Sequence, residues 1–180
     1  MKIAFLSMSG VRVRTEELAQ LGVSMPGFVE RGKVIASMPS LAGATLAAVT
    51  PSDVQFDYFD VPDAESHVVM TDYDLVAFST FTAMACECYA LADRYRAAGV
   101  PVVLGGLHAT HVPEDAKPHF DAVCVGEGED LWPRIVHDAR QGRLQPFYRQ
   151  LQGEVYDIKR APIPKFDLFD VDKYNRLTVQ

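Results

Sequence analysis

Two short apolar runs, each closed by glycines, follow one another in residues 100–129 (VPVVLGGLHATHVPEDAKPHFDAVCVGEGE) and limit the fold more than any other stretch. Val100, Val102, Val103 and Leu104 end at Gly105-Gly106, and residues 122–125 end at Gly126-Glu127-Gly128. Continuous apolar runs of this length, without alternation, suit strands covered on both faces, as in a parallel sheet. In such sheets ligands lie in the crevice beyond the carboxyl ends of the strands, where both glycine turns would fall.

The rest of the chain repeats the pattern. Residues 2–8 read as a first strand ending at Ser7-Met8-Ser9-Gly10. Residues 11–34 hold no period, being broken by Gly22, Pro26, Gly27 and Gly32, and a long irregular segment in a compact domain usually has a functional reason. Pro39 and Ser40 open a helix carrying Leu41, Ala44, Leu46 and Ala48 and stopped at Thr50-Pro51. Residues 54–60 alternate as an edge strand, residues 74–82 form a third strand that turns hydroxylated at its end, and residues 84–98 a helix stopped by Gly99. Residues 129–141 close the series as a helix stopped by Gly142, and the remainder is mixed, with Pro162-Ile163-Pro164 reading as a linker. This alternation predicts an α/β fold with a doubly wound, parallel, five-stranded sheet of flavodoxin-like order. The domain is expected over residues 1–148, followed by a linker over 149–180.

Composition narrows the function. A net charge of -7 with no Lys/Arg cluster argues against a nucleic-acid partner. No run has the length of a membrane span, and the first ten residues lack the apolar core of a signal peptide, so a cytoplasmic protein is expected. Cys86, Cys88 and Cys124 lack the spacing of a zinc or iron–sulfur site and are expected as reduced thiols. The rim of the expected sheet collects Ser7, Ser9 and Gly10 from the first strand, and Ser79, Thr80 and Thr82 from the third. Gly105, Gly106 and His108 come from the fourth, and Gly126, Glu127 and Gly128 from the fifth. Small, hydroxylated and glycine-rich, such a rim accepts a bulky, partly polar ligand brought close to the backbone. It holds no catalytic triad. Several residues carry a structural reading beside this one. His108 suits a turn-stabilising hydrogen bond, Ser79, Thr80 and Thr82 suit helix caps, and Glu127 and Glu129 suit the N-terminal charge of the last helix. Trp132 and Phe81 suit core packing, and Cys124 a strand core.

The segment from Gly105 to residue 144 resembles the cobalamin-binding domain of B12-dependent radical SAM enzymes. Its motifs are Gly105-Gly106-x-His108-Ala109-Thr110, then Pro113-Glu114-Asp115, then Asp121-x-Val123-x-x-Gly126-Glu127-Gly128-Glu129 and Trp132-Pro133. Residues 38–51 look like that family's first helix, so the resemblance covers most of residues 1–148. It implies a flavodoxin-like domain holding a cobamide ahead of a C-terminal radical SAM barrel in cis, with a 4Fe–4S cluster and S-adenosylmethionine in the barrel. The CxxxCxxC motif of such a barrel is absent from this sequence, which reads as the cofactor-holding module, not a complete catalyst. Also absent is Asp-x-His-x-x-Gly, the signature that places a histidine on cobalt, so the resemblance implies a His-off cobamide suited to methyl transfer or related radical chemistry. The competing readings are a domain of the same fold that has lost the cofactor and docks a substrate or partner, and a flavodoxin-like or receiver-like protein. Residues 7–13 lack the phosphate loop of the first and the paired acids of the second.

Overall fold

The computed structural model describes residues 1–8, 39–151, 153, 156–170, 172 and 174. Six parallel strands are found among them: β1 Lys2–Met8, β2 Gln55–Asp60, β3 Leu75–Thr80, β4 Val102–Gly105, β5 Ala122–Val125 and β6 Phe147–Arg149. They lie in the order β2-β1-β3-β4-β5-β6. The first five reproduce the flavodoxin-like order, with β2 at one edge, where its alternating pattern of half-covered residues belongs. The sixth corrects the expected five-stranded sheet. Residues 147–149 are too few for a periodic signal, and their strand exists because β5 offers a free edge, pairing Cys124 with Tyr148 and Val125 with Arg149. β6 ends one residue past the expected domain boundary.

The helices are α1 Leu41–Val49, α2 Ala85–Ala97, the short α3 Leu107–His111 and α4 Pro113–Ala116, and α5 Gly128–Arg140. Strand period splits the core into two layers. Ala4, Leu6, Met8, Val76, Phe78, Val102, Leu104 and Val123 face α2 and its neighbours, together with Tyr95 and Phe120. Ile3, Phe5, Leu75, Ala77, Val103, Ala122 and Cys124 face the opposite side and meet Leu131, Trp132, Ile135 and Val136 of α5. Trp132 ties this second layer together. Its indole N–H donates to Thr50 Oγ1 at 2.8 Å, and its ring meets Phe56 edge-on.

The two layers are packed unequally. The face toward α2 presents large side chains along the middle strands. The face toward α1 and α5 presents Ala77, Ser79 and Gly105 on β3 and β4, with Ser79 directly opposite Gly105. Small residues on the central strands, with α1 and α5 held apart above them, leave unfilled space on this side.

Candidate functional site

That space is a cavity of about 400 Å³ between the sheet, α1 and α5. Its floor is Phe5, Ala77, Val103 and Cys124. Leu41, Thr45 and Leu46 of α1 form one wall, Trp132 and Ile135 of α5 the other, and the mouth is framed by Ser79, Gly105, Gly106, Gly126, Glu127 and Gly128. It opens at the carboxyl ends of β3, β4 and β5, the rim expected from the sequence.

The glycines at the mouth are there for different reasons. Gly106 has φ +91°, and a Cβ on it would lie 2.9 Å from Ser79 Oγ. Gly126 has φ +108° and would bring a Cβ to 2.7 Å from Gln150 Oε1. Both positions require glycine for the turn itself. Gly105 differs: a Cβ there meets nothing closer than Cys124 Cβ at 3.8 Å. Its missing side chain is space left to the cavity. Gly128, in the first turn of α5, stands against Leu46 of α1, with 3.1 Å to its Cδ2 for an added Cβ, and so sets how near the two walls approach.

Half of the twelve residues read as cofactor-binding therefore line the cavity: Ser79, Gly105, Gly106, Gly126, Glu127 and Gly128. Ser9 and Gly10 lie outside the described residues. Ser7 is buried at the end of β1, where its backbone carbonyl accepts from Val61 N–H at 2.9 Å. Thr80 is buried too and donates to the carbonyls of Met8 at 3.3 Å and Phe81 at 3.2 Å, joining the ends of β1 and β3. Thr82 and His108 meet each other. His108 is 3 % exposed, its Nδ1 is 3.1 Å from Thr82 Oγ1, and its Nε2 is 2.6 Å from the Tyr89 hydroxyl, which also reaches Asp115 at 3.2 Å. This network pins the turn after β4 to the turn after β3 from the α2 side of the sheet, the turn-stabilising role weighed for His108.

All five histidines of the chain are accounted for, and none lines the cavity. His67 meets the Tyr95 hydroxyl, His111 the Leu107 carbonyl, His119 the Asp93 carboxylate and His137 the side chain of Gln141. Among the described residues no three His, Cys, Asp or Glu side chains gather as a metal site. Cys124 lies in the cavity floor, where burial, and after it the charges of Glu129 and Glu127, push its thiol up to about 12. At neutral pH it is a small apolar thiol, not a thiolate ligand or nucleophile. Glu129 and Asp130 stand in the first turn of α5, where negative charge complements the helix dipole. The site thus offers shape, an apolar interior and, at its mouth, hydroxyls and the carboxylates of Glu127 and Glu129.

Sequence reasoning missed the walls. Leu41 and Leu46 read as apolar helix positions and Ala77 and Val103 as strand residues, and Thr45 carries no reading. The available signal was the column Ala77, Ser79 and Gly105, small residues at alternate positions of two adjacent buried strands.

The family model described as B12 binding domain matches residues 34–136. The chain is 34% identical over 122 residues to a bacteriochlorophyllide d C-8(2)-methyltransferase of Chlorobaculum tepidum, covering 68% of this chain and 25% of that protein. It is 30% identical over 128 residues to the C-12(1)-methyltransferase of the same organism, covering 68% and 26%. An uncharacterized methyltransferase of Synechocystis is 26% identical over 147 residues, covering 79% and 27%. The chain spans about a quarter of the length of these curated relatives. No solved structure matches it.

Proposed function

The chain belongs to the B12-binding domain family, and from that premise we propose that its rim and cavity hold a cobamide for a larger methyltransferase. The observation that carries this reading is the apolar cavity of about 400 Å³ on one side of the sheet, opening at the carboxyl ends of β3, β4 and β5 beneath the glycine turns of β4 and β5. Its volume suits the base and ribose of a nucleotide tail and is too small for a corrin ring. The glycine turns at the mouth leave the flat face of a corrin free to approach the backbone. The residues present therefore fit the cofactor: the α1 and α5 walls would enclose the tail, Ser79 would hydrogen-bond it, and Gly105 and Gly106 would admit it.

When bound, a cobamide supplies a cobalt centre that accepts and donates a methyl group. The protein's own contribution is to bind and orient the cofactor and to exclude water from its tail. The absence of histidine from the cavity, and the engagement of His108 with Thr82 and Tyr89, support a His-off arrangement. A radical SAM barrel following in cis, with its 4Fe–4S cluster and S-adenosylmethionine, is proposed for the parent protein on the motif resemblance. Methyl transfer is proposed as its reaction because the relatives are named methyltransferases.

The test is titration of the chain with hydroxocobalamin and methylcobalamin, followed by gel filtration and a visible spectrum of the protein peak. Comigrating corrinoid with a base-off spectrum is expected. A base-on spectrum would refute the tail-in-cavity placement, and absence of corrinoid from the peak would favour a docking domain that has kept only the fold.

A further inference from the structure

The segment after β6 does not leave the domain. Its described residues touch α5, α1 and β2 in turn. Arg160 comes within 3.9 Å of Asp130 in α5. Lys165 N–H donates to the Ala44 carbonyl inside α1 at 3.1 Å. Phe169 is buried and meets the Tyr58 ring edge-on, with centroids 4.8 Å apart at 74°. The Tyr174 hydroxyl donates to Asp60, whose other carboxylate oxygen accepts from the Tyr58 hydroxyl at 2.6 Å.

Tyr58 passes these contacts on to the cavity wall. Its hydroxyl accepts the Ser40 N–H at 2.9 Å, taking the place of the side-chain cap that α1 lacks. Its ring lies so close beneath Gly43 that a Cβ there would sit 2.7 Å from Tyr58 Cδ2. The same ring stacks on Phe5, a cavity floor residue, at 5.8 Å and 15°. A nine-residue helix of mostly Ala and Gly has little stability of its own, so its position is set by what grips it. Here the grip is Tyr58, the returning segment, and α5 through Gly128 and Trp132.

We infer that residues 156–170, with 172 and 174, form a strap that positions α1 as a wall of the cavity through Phe169 and Tyr58, so that seating of the strap and retention of a cobamide tail are coupled. This rests on the cobamide reading above. Because such coupling is reciprocal, a ligand in the cavity also tightens the strap, and through it the point from which the following chain departs.

The experiment uses the full chain with Phe169→Ala, the conservative Phe169→Leu, and Tyr174→Phe, which removes only the bond to Asp60. Hydrogen exchange is followed without ligand, and affinity is measured for cobalamin and for cobinamide, which lacks the nucleotide tail. For Phe169→Ala, exchange of the α1 amides is expected to rise roughly tenfold with α2 unchanged. Cobalamin affinity is expected to fall roughly fivefold or more and cobinamide affinity to stay the same. Phe169→Leu should recover most of both effects, and Tyr174→Phe should show a smaller change in the same direction. Equal weakening toward both corrinoids, or unchanged α1 exchange, overturns the strap while leaving cobamide binding intact. An unsubstituted chain that binds neither corrinoid overturns the cobamide reading and the coupling together.

Discussion

Gly106 faces Ser79 across the mouth of the cavity so closely that a Cβ on the glycine would lie 2.9 Å from the serine Oγ, with the Gly106 backbone at φ +91°. Gly106→Ala therefore meets two penalties at once, a strained backbone and a displaced Ser79 hydroxyl. The expected cost is about 1–2 kcal/mol of stability. Urea denaturation reads the stability change, and a parallel corrinoid titration should show weaker binding.

Gly105, one residue earlier, predicts the opposite separation. A Cβ there has room, 3.8 Å from Cys124 Cβ, and the position is in a strand. Gly105→Val should leave the denaturation midpoint unchanged or raise it, since β-branched residues favour strands. The added side chain takes space from the cavity, so cobalamin affinity should drop at least about tenfold, or about 1.4 kcal/mol. Loss of stability with unchanged affinity would remove Gly105 from the cavity's function.

Trp132 donates to Thr50 Oγ1 from a buried position. Thr50→Val keeps the shape and leaves the indole N–H without its acceptor, at an expected cost of about 1–3 kcal/mol. Trp132 is also the chain's single tryptophan and lines the cavity. Corrinoid binding should therefore quench its fluorescence in a saturable way; an unchanged emission on binding would place the ligand elsewhere.

His108→Ala should cost about 1 kcal/mol or more, because the buried imidazole's hydrogen bonds to Tyr89 and Thr82 are lost and the Tyr89 hydroxyl keeps only Asp115. If the cofactor is held His-off, the visible spectrum of bound corrinoid should not change with this substitution. A shift of that spectrum would make His108 a cobalt ligand and displace it from the structural role.

The cavity thiol gives a pH dependence with a definite sign. Burial first, then Glu129 and Glu127, hold Cys124 protonated up to about 12, against an ordinary value of 9.0, and burial raises Cys88 to about 12 as well. In the window between these values the unfolded chain has lost protons that the folded chain keeps. Stability is thus fully present below pH 9 and falls as pH rises toward 12. Thiol titration at pH 8 should accordingly find Cys86, which is exposed, reactive in the folded chain, with Cys88 and Cys124 reacting only after denaturation.

The sequence by itself determined the strand-and-helix alternation, the flavodoxin-like order of the first five strands and the glycine turns after β4 and β5. These are local matters: an apolar run closed by Gly105-Gly106 or by Gly126-Glu127-Gly128 has few other structures open to it. The motifs carrying the resemblance lie in these same turns, so the family too was legible from the residues. What only the tertiary structure decided depends on distance in space. Ser79, Gly105 and Gly126 share the cavity while Thr80, Thr82 and His108 do not, because side chains on a strand alternate between faces, and the Thr82–His108 contact turns to the α2 side. The role of α1 as a cavity wall, though α1 itself is legible as a helix, the three-residue β6 and the grip of Phe169 on Tyr58 have no signal in the sequence. Each exists because a surface made elsewhere in the chain, the α5 groove, the β5 edge or the β2 ring, gives a short segment something to bury against.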